Sequence, residues 1–363
     1  MASPPADKVP TQRPLPRPTR LPLYLALAYL VLIGYASLYP FANWRDLGVP
    51  PLEFLDADWP RYWTFFDLAV NVVAYLPLGF LLTLALRRLP GGLWSAAIAA
   101  VLLGSLLSLG LECLQNWLPA RVPSHLDLAC NAAGTACGAV LAFFNGKRIV
   151  RRIAQMQQQL LAPIAHVELG LVLLGMWLLT QSSPETLLFG AGDLRSVVAL
   201  TPAVPYAAHS FFVLEAAVIA GNTIVIGLFA RTLLADRAAP YRALFAFFVL
   251  ALAIRALAAA ILVGPQDALA WLTPGARLGL LVGGVLLALM LMLPAPIRVA
   301  LAGVALMAST ALVNLTPANP YSEAALAAWR QGHFLNFNGL TRWVASLWPF
   351  LALPYLTAVG RRL

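Results

Sequence analysis

The chain has 363 residues, 61% of them hydrophobic and only 11% charged, with a formal net charge of +9. A soluble domain is about 45–50% apolar and roughly 25% charged, so this chain lacks the polar surface to fold in water, and its mean hydropathy of +0.79 points to a membrane. In a soluble protein such basicity would suggest nucleic acid, but the basic residues follow a pattern, traced below, that assigns them to one membrane face and excludes that partner.

Residues 1–20 are polar, charged and rich in proline, without apolar periodicity, and read as a disordered cytoplasmic tail. A spanning helix needs about 20 mainly apolar residues. Runs of that kind fall at 21–42, 63–86, 92–118, 125–145, 164–182, 207–233, 241–263, 276–293, 296–317 and 338–358. They predict an all-α, polytopic transmembrane bundle of about ten spanning helices. A β-barrel would instead need alternating segments of about ten residues, and the first run is too long for a cleavable signal.

Lys and Arg concentrate in cytoplasmic loops. With the first tail inside, the inside segments collect Arg87 and Arg88, then Lys147, Arg148, Arg151 and Arg152, then Arg231, Arg237 and Arg242, and last Arg361 and Arg362. The acids Asp46, Glu53, Asp56 and Asp58 fall outside. Both termini are therefore expected in the cytoplasm, with the chain a multi-pass membrane protein. Residues 21–146 form a four-span module and 163–363 a six-span module. Between them, 147–162 places Ile149, Ile153, Met156 and Leu160 on one helical face, as an amphipathic linker lying on the inner leaflet.

Charges at membrane depth are expensive and mark functional positions. The second run carries Asp67 and Asn71, the third Glu112 and Gln115 near its outer end, and the fourth Asp127 and Asn131. Within each run the spacing is i, i+3 or i, i+4, so each set shares a face. Arg121 lies in the short outer loop between the third and fourth runs. These seven residues are expected to converge in an outward-facing polar pocket, with Arg121 as the counter-charge for Glu112 or Asp127. Gly134 and Gly138 form a small-xxx-small pair suited to close helix packing, and Pro77-Leu78-Gly79 interrupts the second run.

The ordered set Asp67, Asn71, Pro77-Leu78-Gly79, Glu112-x-x-Gln115, Arg121, Asp127, Asn131 and Gly134/Gly138 resembles the VanZ-like family of membrane proteins, over roughly residues 30–145. The resemblance implies a role in the cell envelope. The family name also carries a link to resistance to the glycopeptide teicoplanin, which enters by resemblance only.

In the C-terminal half, Glu215 and Arg255 lie at matching depth in consecutive runs joined by a short loop, which predicts an intramembrane ion pair. The outer segment 318–342 mixes Arg330, His333 and Arg342 with aromatic residues and reads as a lid or an interfacial connector. Cys113, Cys130 and Cys137 lie inside apolar runs, so no disulfide framework, metal site or cofactor is indicated. No P-loop, H-E-x-x-H or nucleophile elbow is present. Glu112 with Asp127 could act as acid and base on a lipid-linked substrate. The balance favours binding or translocation of an envelope precursor, lipid head group or glycopeptide-like compound over an enzyme. A structural or regulatory membrane component without a ligand is the remaining alternative, with membrane lipids as partners in every case.

Overall fold

The computed structural model describes residues 19–39, 41–46, 48–57, 64–183, 186–195, 206–262, 264–317 and 337–362. The tail 1–18 and most of the segment 318–342 lie outside the described residues. Among these, ten α-helices and no strand form the fold. They are α1 (Leu21–Leu38), α2 (Phe65–Leu86), α3 (Leu93–Gln115), α4 (His125–Leu160), α5 (Val167–Thr180), α6 (Ala208–Leu233), α7 (Pro240–Leu262), α8 (Pro274–Met290), α9 (Ala295–Leu315) and α10 (Phe337–Gly360). Each falls on one of the ten apolar runs. Eight are long and apolar enough to cross a membrane, whereas α5 and α8 are shorter apolar helices of 14 and 17 residues. The outward faces carry bare hydrophobes such as Val31, Phe245 and Ile261, each about 70% exposed, as a lipid-facing surface requires.

The tightest contact in the first half is between α2 and α4, which run parallel. A Cβ on Gly134 would strike the backbone of Val72, one on Gly138 the backbone of Leu76 and Phe80, and one on Gly79 the Thr135 carbonyl. The two backbones therefore touch directly, as small residues allow where lipid supplies no hydrophobic drive between helices. Helix α3 closes over this pair, with the Thr135 side chain filling the space above Gly104. Pro77 lies inside α2 and removes one helix donor. One residue after the Val73 carbonyl that loses it, Tyr29 of α1 donates to the Ala74 carbonyl at 2.8 Å.

Helix α4 runs unbroken for 36 residues. The stretch 147–160 forms its last four turns. At Gly146 a side chain would meet Leu84 of α2, so the two helices stay close there. At 1.5 Å per residue α4 is about 54 Å long, well beyond a hydrocarbon core of about 30 Å. Its far end is tied to the C-terminal half: Ala162 N–H donates to Leu233 O and Ala235 N–H to Leu160 O, both at 2.8 Å, and Arg237 donates to the carbonyls of Gln158 and Gln159.

In that half α6 is the central helix, with 72% of its apolar window buried against 22% for α7. Its closest neighbour is α8, where Gly275, Gly279 and Gly283 face Glu215, Ala216 and Ala220 in turn. Trp177, Phe189, Phe229 and Trp348 fill the core around it, and Trp348 Nε1 donates to Leu173 O at 2.7 Å.

Gly138→Ala is expected to lower thermal stability in detergent by about 1–3 kcal/mol, the range for overpacking against backbone that cannot yield. Gly110→Ala on α3 meets no atom within 4 Å and should be neutral or slightly stabilising. Equal losses in the two variants would mean that the α2–α4 contact is looser than described.

Candidate functional site

Antiparallel winding brings the C-termini of α1 and α3 and the N-termini of α2 and α4 to one end of the first four helices, and the polar residues gather there. Both parallel helices begin with a side-chain cap. Thr64 accepts from Asp67 N–H while Asp67 accepts from Thr64 N–H, a reciprocal capping box. Ser124 accepts from the N–H groups of Leu126 and Asp127. Asp67 is thus exposed at the mouth, a cap as well as an acid.

Deeper in, Asn71 Nδ2 donates to Asp127 Oδ1 at 2.7 Å, joining α2 to α4. Glu112 is 4% exposed, and Ser124 N–H donates to its Oε2 at 3.0 Å, so the carboxylate sits at the N-terminus of α4. One turn further, Asn131 Nδ2 donates to Ser108 Oγ at 2.9 Å and Thr135 Oγ1 to Asn131 O at 2.8 Å. Asn131 Oδ1 is buried and receives no hydrogen bond from the described residues. Gln115 Nε2 donates to Ser37 O of α1 at 3.1 Å. Asp67, Asp127 and Glu112 lie near enough for each charge to be felt by the next.

Although Glu112 feels its charge, Arg121 makes no ion pair within 4 Å with Glu112 or Asp127. Its Nε donates to Tyr39 O at 3.2 Å and its Nη2 to Ala36 O at 2.9 Å. The reason is geometric: the last carbonyls of α1 have no helical donor, they carry the negative end of the helix dipole, and they lie within reach of the loop. Glu112 meanwhile has the Ser124 N–H instead.

Glu215 and Arg255 each have other hydrogen-bond partners among the described residues. Glu215 accepts from Thr273 Oγ1 at 2.8 Å, above Gly275 at the N-terminus of α8. Arg255 donates to the carbonyls of Ser183 and Thr186 and to Thr186 Oγ1. Matching depth was not enough, because α6 packs on the glycine face of α8 and touches α7 only lightly.

Ser124, Asn116 and Thr135 escaped the sequence reading. Ser124-x-x-Asp127 before an apolar run is the pattern of a helix start and would have revealed the first. Asn116, buried, donates to Pro51 O at 2.9 Å and fastens the α1–α2 loop to the end of α3; nothing in its spacing announces that. A cleft of 1240 Å³ lies at the opposite end of α2, α3 and α4, lined among others by Arg87, Trp94, Lys147 and Arg151.

Arg121→Ala should lower stability in detergent by about 1.5–3 kcal/mol, the range for hydrogen bonds to a charged group, and loosen the end of α1. In double-mutant cycles Glu215→Met and Thr273→Val should couple by about 0.5–3 kcal/mol, whereas Glu215→Met and Arg255→Gln should add within about 0.5 kcal/mol. Strong coupling in the second cycle would restore the ion pair.

Residues 23–149 match the VanZ/LLP1 family, a span that runs from α1 into α4 and contains all seven clustered residues. No curated protein and no solved structure matches the chain. The N-terminal part is thus similar to the VanZ/LLP1 family, and the apolar helices suggest a multi-pass membrane protein.

Proposed function

We propose that this VanZ-like membrane domain holds an outward-facing, acceptor-rich site for the head group of an envelope lipid or lipid-linked precursor, and that the protein binds or translocates that compound in the cytoplasmic membrane of a bacterium. The observation that carries the reading is the gathering of Asp67, Glu112 and Asp127 at one bundle end, where Arg121 is hydrogen-bonded to the carbonyls of α1 and acts on Glu112 by its charge alone. Hydrogen-bond acceptors dominate what is left, the buried Asn131 Oδ1, which receives no hydrogen bond from the described residues, among them. Such a surface suits a ligand rich in amines, amides or hydroxyls, since ionised carboxylates only accept.

The assignment of this end to the outside rests on the basic residues. Arg87 and Arg88 follow α2, and Lys147, Arg148, Arg151 and Arg152 lie on the far part of α4, all at the other end. Residues concentrated in this way face the cytoplasm. We assign ten spans with both termini inside, residues 21–146 as the binding module and 163–363 as a second module. The bonds Asn71–Asp127 and Ser124–Glu112 also suit a network that merely holds three helices together, and the experiment separates the two readings.

In a strain lacking the protein, untargeted lipidomics should reveal accumulation of one envelope precursor. Glu112→Gln should reproduce it at near-normal thermal stability, because glutamine keeps an acceptor for Ser124 N–H. Normal lipid profiles in both strains overturn the binding reading. Normal profiles with a destabilised Glu112→Gln protein assign the cluster to helix packing alone.

A further inference from the structure

The cleft at the basic end lies outside the function proposed for the opposite end and has a chemistry of its own. It opens between the α2–α3 turn and the long helix α4, with a volume of 1240 Å³. That exceeds the roughly 300–1,000 Å³ of small-molecule pockets. Its walls are graded. Trp94 of α3 packs on Phe143 of α4 with ring centroids 4.8 Å apart, and Phe144 stands edge-on to Phe143 at 5.3 Å. Trp94 and Phe144 are 68% and 76% exposed, so the aromatic part of the cleft opens to lipid. One and two turns along α4, on the same face, come Lys147 and Arg151, and beyond them Gln155. Arg87 lies opposite, held by Nη1 donating to Leu84 O at 3.1 Å and Nη2 to Thr19 O at 3.4 Å.

Among the described residues no acid lines the cleft. Glu168 accepts from Thr19 Oγ1 and Arg20 N–H and is near enough for Arg87 to feel its charge. The order along one helical face is therefore aromatic, cationic, amide. A phospholipid has the same order from its acyl chains through its phosphate to its polar head. With the basic end facing the cytoplasm, as proposed above, the cleft falls at the level of inner-leaflet phosphates.

We propose that this cleft is a binding site for an anionic diacyl phospholipid. Its phosphate is held by Arg87, Lys147 and Arg151, and its upper acyl chains lie along Trp94, Phe143 and Phe144. The site differs from a general attraction of basic residues to the inner leaflet, because only some of the cations on α4 line it: Arg148 and Arg152 do not. All four α4 cations are exposed, so replacing them leaves the packing intact.

The full-length protein would be reconstituted in phosphatidylcholine nanodiscs containing a few per cent phosphatidylglycerol, and retained lipid counted by native mass spectrometry. Wild type is expected to retain phosphatidylglycerol over phosphatidylcholine. Lys147→Gln/Arg151→Gln should lose roughly tenfold of that preference, while the charge-matched Arg148→Gln/Arg152→Gln should keep it. Equal loss in the two double variants would reduce the effect to surface electrostatics and overturn the site. So would a wild type that does not distinguish the two lipids.

Discussion

Everything at the polar end of the first four helices depends on the backbone contact between α2 and α4. Apolar side chains gain little by leaving lipid for another helix, so association rests on close van der Waals contact and on hydrogen bonds between helices. Gly79, Gly134 and Gly138 let the two parallel backbones meet without side chains between them. That approach fixes the register, and the register sets Asn71 beside Asp127 at the helix starts. Thr135 then reaches into the space over Gly104, which carries α3 into place and brings Ser108 to Asn131. On α8, Gly275, Gly279 and Gly283 do the same for α6.

The second theme is how the protein keeps charge inside a poor solvent for it. The expected solution was opposite charges in pairs. Such pairs occur, Asp193 with Arg195 and Arg231 with Asp236, but helix ends are used as well: Glu112 lies at the start of α4, Glu215 at the start of α8 and Glu168 in the first turn of α5, while Arg121 lies at the end of α1 and Arg237 at the end of α4. Each sign matches the dipole of the terminus it meets. Glu112, Arg121 and Arg237 also satisfy backbone groups that a helix end leaves without partners.

Helix α4 joins the two chemically distinct ends. It starts in the acid and amide cluster, continues along the glycine contact, and leaves the apolar layer as a face that changes from aromatic to cationic. Its last residues are then fastened to the end of α6. A shift of α4 along its axis would therefore be felt at the polar cluster, at the basic cleft and at the second group of helices together.

The ten helices were legible because a spanning helix needs only length and hydrophobicity, and both are properties of a single segment. The polar positions were legible too, since Asp67/Asn71, Glu112/Gln115 and Asp127/Asn131 announce a shared face by spacing alone. So were Gly134 and Gly138 as a packing surface. Partner choice was not legible. Arg121 had two acids within plausible reach and took the carbonyls of Ala36 and Tyr39, and Glu215 and Arg255 had equal depth and a short connecting loop but separate partners. Periodicity belongs to one helix and can be read along one chain. Which atoms satisfy a buried charge depends on which two surfaces fit most closely, and only the packed tertiary structure decides that.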